Sequence, residues 1–198
     1  LRDISTIQET LANAEGVPFF DLVYAEGLSA GLDCLVGGGF DAVLLDLELP
    51  DGHGLEALEA VLRQTPQVAV VVLAGREEDE LALGALRKGA QDYLVKGHIE
   101  SKLLAHSIRH AVERKQAVEA AVRSEEQYRA MFERGGLAIA LMDDHGRLIE
   151  ANAAFQKMFR STASELRALS LLELTHQDDR ATELACFAMM IEGASGSY

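Results

Sequence analysis

Residues 40–54 read FDAVLLDLELPDGHG. The apolar run Ala42 to Leu45 ends on Asp46, and the turn formers Pro50, Asp51 and Gly52 follow within a few residues. A short apolar run bounded by turn signals reads as a buried strand. An acid at its carboxyl end stands where open α/β sheets place their ligands. Around a strand over 41–46, the pattern predicts helix 4–14, strand 19–24, helix 27–36, helix 54–64, strand 68–74, helix 78–88 and strand 92–95. Gly37 to Gly39, Gly75 and Gly89 fall at the joints. Helical periodicity alternating with Val- and Phe-rich runs is the signature of repeated βα units and a parallel sheet.

The totals narrow the function classes. The chain has 198 residues, 48% of them apolar and 25% charged, enough to bury a core and to form two small domains. A net charge of -14 argues against sequence-independent nucleic-acid binding, which needs a basic footprint on phosphates. That charge is concentrated in residues 1–98, with 6 basic against 17 acidic residues. The longest apolar run, Val68 to Ala74, is far short of the roughly 20 residues that span a bilayer, so no membrane segment is expected. Cys34 and Cys186 lack metal-ligand spacing and read as small buried hydrophobes in a reducing cytosol. The chain opens on Leu1 without a secretory signal, and we read it as a cytoplasmic fragment.

From Ile99 to Phe132 there is neither Pro nor Gly, and Leu104, Ile108, Ala111, Lys115, Val118, Val122 and Glu125 step by alternating four and three. This heptad seam, broken at Lys115 and Glu125, predicts a linker helix over 99–127 that pairs in a parallel two-stranded coiled coil, with a single amphipathic helix as the alternative. His106 and His110 lie one turn apart on it and read as exposed linker histidines. Beyond Gly135 and Gly136, short strands over 138–142 and 147–150 flank a turn and predict a hairpin. Asn152 is a suitable N-cap for a helix through Phe159. Ser164 with Glu165 opens a second short helix ending near Leu169, and a last helix covers Arg180 to Glu192.

Together, the Asp46 segment, the strand end at Leu73-Ala74-Gly75 and the Gly89 to Lys96 run resemble the CheY-like receiver domain of two-component response regulators. The resemblance implies a flavodoxin-like doubly wound parallel sheet of order 2-1-3-4-5 over residues 1–98. It implies Asp46 as phosphoacceptor, since a carboxylate can accept a phosphoryl group as an acyl phosphate when a cation offsets the charge. By the same resemblance Lys96 contacts the phosphoryl oxygens, Tyr93 is the aromatic switch, and Asp46 with the backbone carbonyl of Glu48 supplies oxygens to Mg2+. Two departures stand out. Ala74 takes the phosphate-contact position where the family has a Thr or Ser hydroxyl. The family's acidic pair follows a first strand that is missing, because Leu1 already aligns with the first helix; the sheet would then carry an internal gap.

The second half resembles the start of a PAS sensory domain, carried by Tyr128 to Phe132, the hairpin, Glu150 to Phe155 and Leu174 to Arg180. The resemblance implies a partial α+β PAS domain over 128–198 with its last three strands absent. Phe155, Met158 and Phe159 read as ordinary core rather than a cavity lining, and no PAS ligand is identified; Cys186 lacks the surroundings of a flavin-reactive thiol. The expected whole is a non-enzymatic phosphorelay module. Its partners would be a histidine kinase or phosphotransfer protein and a second copy bound through the linker helix, with the output domain outside the chain. The alternative is a degenerate receiver serving as a phosphorylation-independent dimerisation or docking module. A haloacid-dehalogenase-like phosphatase, faintly suggested by Asp46-Leu47-Glu48, is disfavoured because the motif follows a later strand.

Overall fold

The computed structural model describes residues 20–75, 79–97 and 99–191. Its elements run α1 (Leu28–Val36), β1 (Ala42–Asp46), β2 (Glu48–Leu49), β3 (Gly52–His53), α2 (Gly54–Gln64), β4 (Ala69–Ala74), α3 (Asp79–Arg87) and β5 (Asp92–Val95). There follow α4 (Ser101–Arg134), β6 (Ala140–Met142), β7 (Leu148–Ala151), α5 (Ala153–Phe159), α6 (Ala163–Leu166), α7 (Leu171–Leu174) and α8 (Arg180–Ile191). The chain divides into two compact units after Val122, within α4.

In the first unit β1, β4 and β5 form a parallel sheet in the order β1-β4-β5. All six residues of the central strand β4 are buried, because both of its faces are covered. Val70, Val72 and Ala74 join Leu45, Leu58, Val61 and Ala85 in the core beneath α1, α2 and α3. Ala69, Val71 and Leu73 join Leu94, Leu104, Ile108 and Ala111 beneath α4. Period-two alternation along a strand produces this division directly.

Of the strand expected over 19–24, none forms over the described residues 20–24. Residues 20–24 make no ladder, and Leu22, Val23 and Tyr24 are exposed. An apolar alternation becomes a strand only when a neighbour supplies its hydrogen bonds, and the described sheet has no strand beyond β1. The helix expected over 4–14 lies outside the described residues. Cys34 corrects a second expectation, since it is exposed, and Cys186 is only half-buried.

The linker helix forms, but its seam is divided. Leu104, Ile108 and Ala111 are buried in the receiver core, whereas Val118 and Val122 are 57% and 53% exposed. The amino-terminal part of the heptad run therefore packs on its own sheet and is closed to a partner helix. Among the described residues no helix is long and apolar enough to cross a membrane.

In the second unit β6 and β7 pair antiparallel, and Leu148, Ala151, Phe155 and Leu166 form the core with Phe159 against them. Phe155 and Phe159 are core residues as expected, but Met158 is 60% exposed, on the outer side of α5. The cap of α6 is Thr162 rather than Ser164: its Oγ1 accepts from Glu165 N while the Glu165 carboxylate accepts from Thr162 N. A similar Ser170 and Glu173 pairing starts α7, a turn the sequence reading left out.

Candidate functional site

Asp46 ends β1 opposite Leu73 of β4, and Ala74 lies opposite Val95 of β5. This register brings three strand ends to one edge of the sheet. Lys96 follows immediately on β5, where its amide donates to the Ala74 carbonyl at 2.9 Å. Its side chain reaches back across the strand ends, placing Nζ 2.6 Å from Asp46 Oδ1 and 2.8 Å from Glu48 Oε2. The Glu48 amide also donates to Asp46 Oδ1 at 2.8 Å. One carboxylate oxygen of Asp46 thus accepts from a backbone amide and an ammonium together.

Burial of the Lys96 ammonium opposes its charge, but hydrogen bonds to Asp46 and Glu48, together with their negative charges, outweigh it and hold the pKa above the ordinary lysine value. The cation is therefore retained at neutral pH beside the Asp46 and Glu48 carboxylates.

Of the residues singled out by sequence, Asp46, Glu48, Ala74 and Lys96 come together. Ala74 is 1% exposed and brings no hydroxyl to the site. Tyr93 is half-buried and packs against the core beneath α1, α2 and α3. The sequence reading gave Glu48 only a backbone role, whereas its side chain shares Lys96 with Asp46. The signal was available, because residues two apart on an extended segment point to the same side. A remote cap was also missed: the Asp51 carboxylate accepts from the Leu28 and Ser29 amides at the start of α1. No local capping rule reaches across 22 residues. His106 and His110 are exposed, with rings 4.0 Å apart.

A magnesium ion is held by about six oxygens in near-octahedral geometry. Asp46 and Glu48 offer donors of the right chemistry, but their carboxylates are bridged by the Lys96 ammonium. Among the described residues no group of three or more Asp, Glu, His or Cys side chains is placed to hold a metal ion. The described residues alone do not fit the ion.

Comparison with known proteins places this geometry in a family. The model of the response regulator receiver domain matches residues 3–109, and that of the PAS fold matches residues 126–197. Neither matched region is a catalytic domain. The chain is 37% identical over 106 residues to the KDP operon transcriptional regulatory protein KdpE of Escherichia coli, covering 52% of this chain and 45% of that protein. It is 32% identical over 96 residues to the swarming motility regulation protein RssB of Serratia marcescens, covering 48% and 44%. The chain thus spans under half the length of these relatives. A crystal structure of NtrX from Brucella abortus superposes with a TM-score of 0.52 at 25% identity, covering 65% of this chain and 27% of that one. Receiver domains as a class bind Mg2+ for phosphorylation and interact with histidine kinases or phosphotransfer proteins. With a parallel sheet, an acid closing β1 and a lysine after β5 that meets it, this chain belongs to the response regulator receiver domain family, and a PAS fold follows the receiver.

Proposed function

We propose that Asp46 accepts a phosphoryl group from a histidine kinase or phosphotransfer protein, and that the receiver regulates a sensory module through α4. The single observation that carries this reading is the 2.6 Å contact between Lys96 Nζ and Asp46 Oδ1 at the carboxyl end of the sheet. In the transfer an Asp46 carboxylate oxygen attacks phosphorus as the P–N bond to the donor imidazole breaks, and the electron pair leaves with the imidazole. The product is an acyl phosphate. Lys96, held charged beforehand, then pairs with phosphoryl oxygens and offsets the added negative charge without rebuilding the site.

The domains of this reading are a receiver over 1–98, a linker helix over 99–127 and a PAS domain over 128–198. The exposed Val118 and Val122 support self-association through the carboxyl-terminal part of the linker helix. Phosphorylation would bias one of two receiver conformations, and the helix would pass that bias onward. The module is read as cytoplasmic.

Ala74 supports a second reading, a degenerate receiver that docks or dimerises without phosphate, because no hydroxyl donor stands at the end of β4. Treating the full-length protein with acetyl phosphate and Mg2+ and recording its intact mass separates the two. Gain of one phosphoryl group, abolished by Asp46→Asn, is the expected result. A folded protein that gains none favours the docking module.

A further inference from the structure

The segment following Asp46 is tied at two places. At its near end the Glu48 amide donates to Asp46 Oδ1, and β2 pairs with β3 through Glu48 with His53 and Leu49 with Gly52. At its tip Asp51 leaves the hairpin and reaches α1. Its Oδ1 accepts from Leu28 N at 2.7 Å and its Oδ2 from Ser29 N at 2.9 Å. These amides are orphans of the first helical turn, where a carboxylate is favoured by both hydrogen bonding and the helix dipole. The helix has no cap of its own, since its N-cap is Gly27 and its first turn contains no acid. The Ser29 and then the Leu28 amide hold the Asp51 carboxyl below the usual aspartate value.

Two glycines make room for this contact. A Cβ on Gly27 would lie 2.5 Å from Asp51 Oδ1, and one on Gly52 would lie 2.6 Å from Leu28 Cδ2. A side chain at Gly27 would displace the Asp51 carboxylate, and one at Gly52 would displace the Leu28 side chain. Gly27 has an extended backbone, φ −162°, that any residue adopts, so the requirement at that position is space.

We propose that Asp51 is a positioning residue for phosphoryl transfer: by clamping the 48–53 hairpin to the start of α1, it fixes the Glu48 backbone against the acceptor carboxylate of Asp46. This deepens the proposed receiver function and rests on it. The clamp is rigid at both ends, with α1 packed on the core and Gly54 N donating to Leu47 O at 2.8 Å behind the hairpin. Freed at its tip, the hairpin would leave the Glu48 amide to wander from Asp46 Oδ1, and reactivity falls steeply with misplacement on the ångström scale.

The test separates capping from positioning. In the full-length protein, Asp51→Ala removes both roles, and adding Gly27→Ser to it returns a local cap to α1 in the space the carboxylate vacates. Three quantities are followed: Tm, deuterium exchange at the amides of Glu48 and Gly54, and the rate of labelling by acetyl phosphate. Asp51→Ala is expected to lower Tm by about 4–8 °C and to slow labelling about tenfold. The double variant is expected to recover most of the Tm while exchange stays fast and labelling stays slow. Labelling that recovers together with Tm would overturn the proposal, as would Asp51→Ala with unchanged exchange at Glu48. If the unaltered protein takes no label, the receiver function itself fails, and the exchange contrast alone then upholds or refutes the clamp.

Discussion

Asn152 Nδ2 donates to the Phe132 carbonyl at 2.6 Å, joining the last turn of α4 to the start of α5. The same amide nitrogen donates to Leu137 O, and its Oδ1 accepts from Ile139 N and from Phe155 N. Asn152 is wholly buried, and its bonds to Phe132 O and Phe155 N are buried with it, where no water replaces them. Asn152→Ala is expected to destabilise the second unit by about 3 kcal/mol or more, because it orphans buried backbone groups as well as losing a cap. Faster amide exchange at Ile139 and Phe155, with exchange in the sheet around Asp46 unchanged, is the expected pattern; protection kept at both amides would refute it.

Lys96 should titrate above its ordinary value of 10.5. Because the folded pKa is raised, the stabilisation it reflects is complete below 10.5 and is lost as pH climbs through the folded value. NMR titration of the lysine ε-methylene resonance should therefore give a late midpoint for Lys96, moving earlier in Asp46→Asn. A midpoint at or below the ordinary value, or one indifferent to Asp46→Asn, would contradict the paired geometry.

At position 74 a hydroxyl should repair what the site lacks. Ala74→Ser adds one donor at the end of β4, and a hydrogen bond to a charged group contributes about 1.5–3 kcal/mol. Phosphorylated Asp46 is thus expected to persist about tenfold longer in Ala74→Ser, read as the decay of the phosphorylated mass after acetyl phosphate is removed. Equal lifetimes would show that Ala74 does not limit the site.

The two parts of the heptad run should respond differently. Leu104→Ala empties a buried position beneath the sheet and is expected to cost about 2–5 kcal/mol in urea unfolding of the first unit. Val118→Ser with Val122→Ser changes exposed positions and should alter folding by about 0.5 kcal/mol or less each, while lowering the apparent mass in light scattering if the helix pairs there. A double variant with the same mass as the parent would exclude this seam as the contact.

Local patterns made much of this legible. Short apolar runs bounded by turn formers marked β1, β4 and β5, Asn152 announced a helix start, and Asp46, Ala74 and Lys96 lie at neighbouring strand ends. What stayed hidden depends on chain crossing chain. Residues 20–24 carry a strand pattern without a strand, because pairing depends on a neighbour that local sequence does not report. Leu104 and Val118 occupy equivalent heptad positions, yet only one has a sheet beneath it. Asp51 read as a turn former, since nothing near it in sequence indicates that it caps a helix 22 residues earlier.

The double-sided burial of β4 has a consequence for the life of the protein outside its native state. Ala69 to Ala74 is an uncharged six-residue segment, four of whose members are Val or Leu, and in the fold none of it meets water. Released by partial unfolding or during synthesis, such a segment has the composition of a steric zipper and invites cross-β stacking between chains. Pro66 before it and Arg76, Glu77 and Glu78 after it are gatekeepers in sequence, breaking the apolar window at both sides. Neutralising those flanking charges should raise the yield of insoluble protein, a defect of proteostasis rather than of signalling.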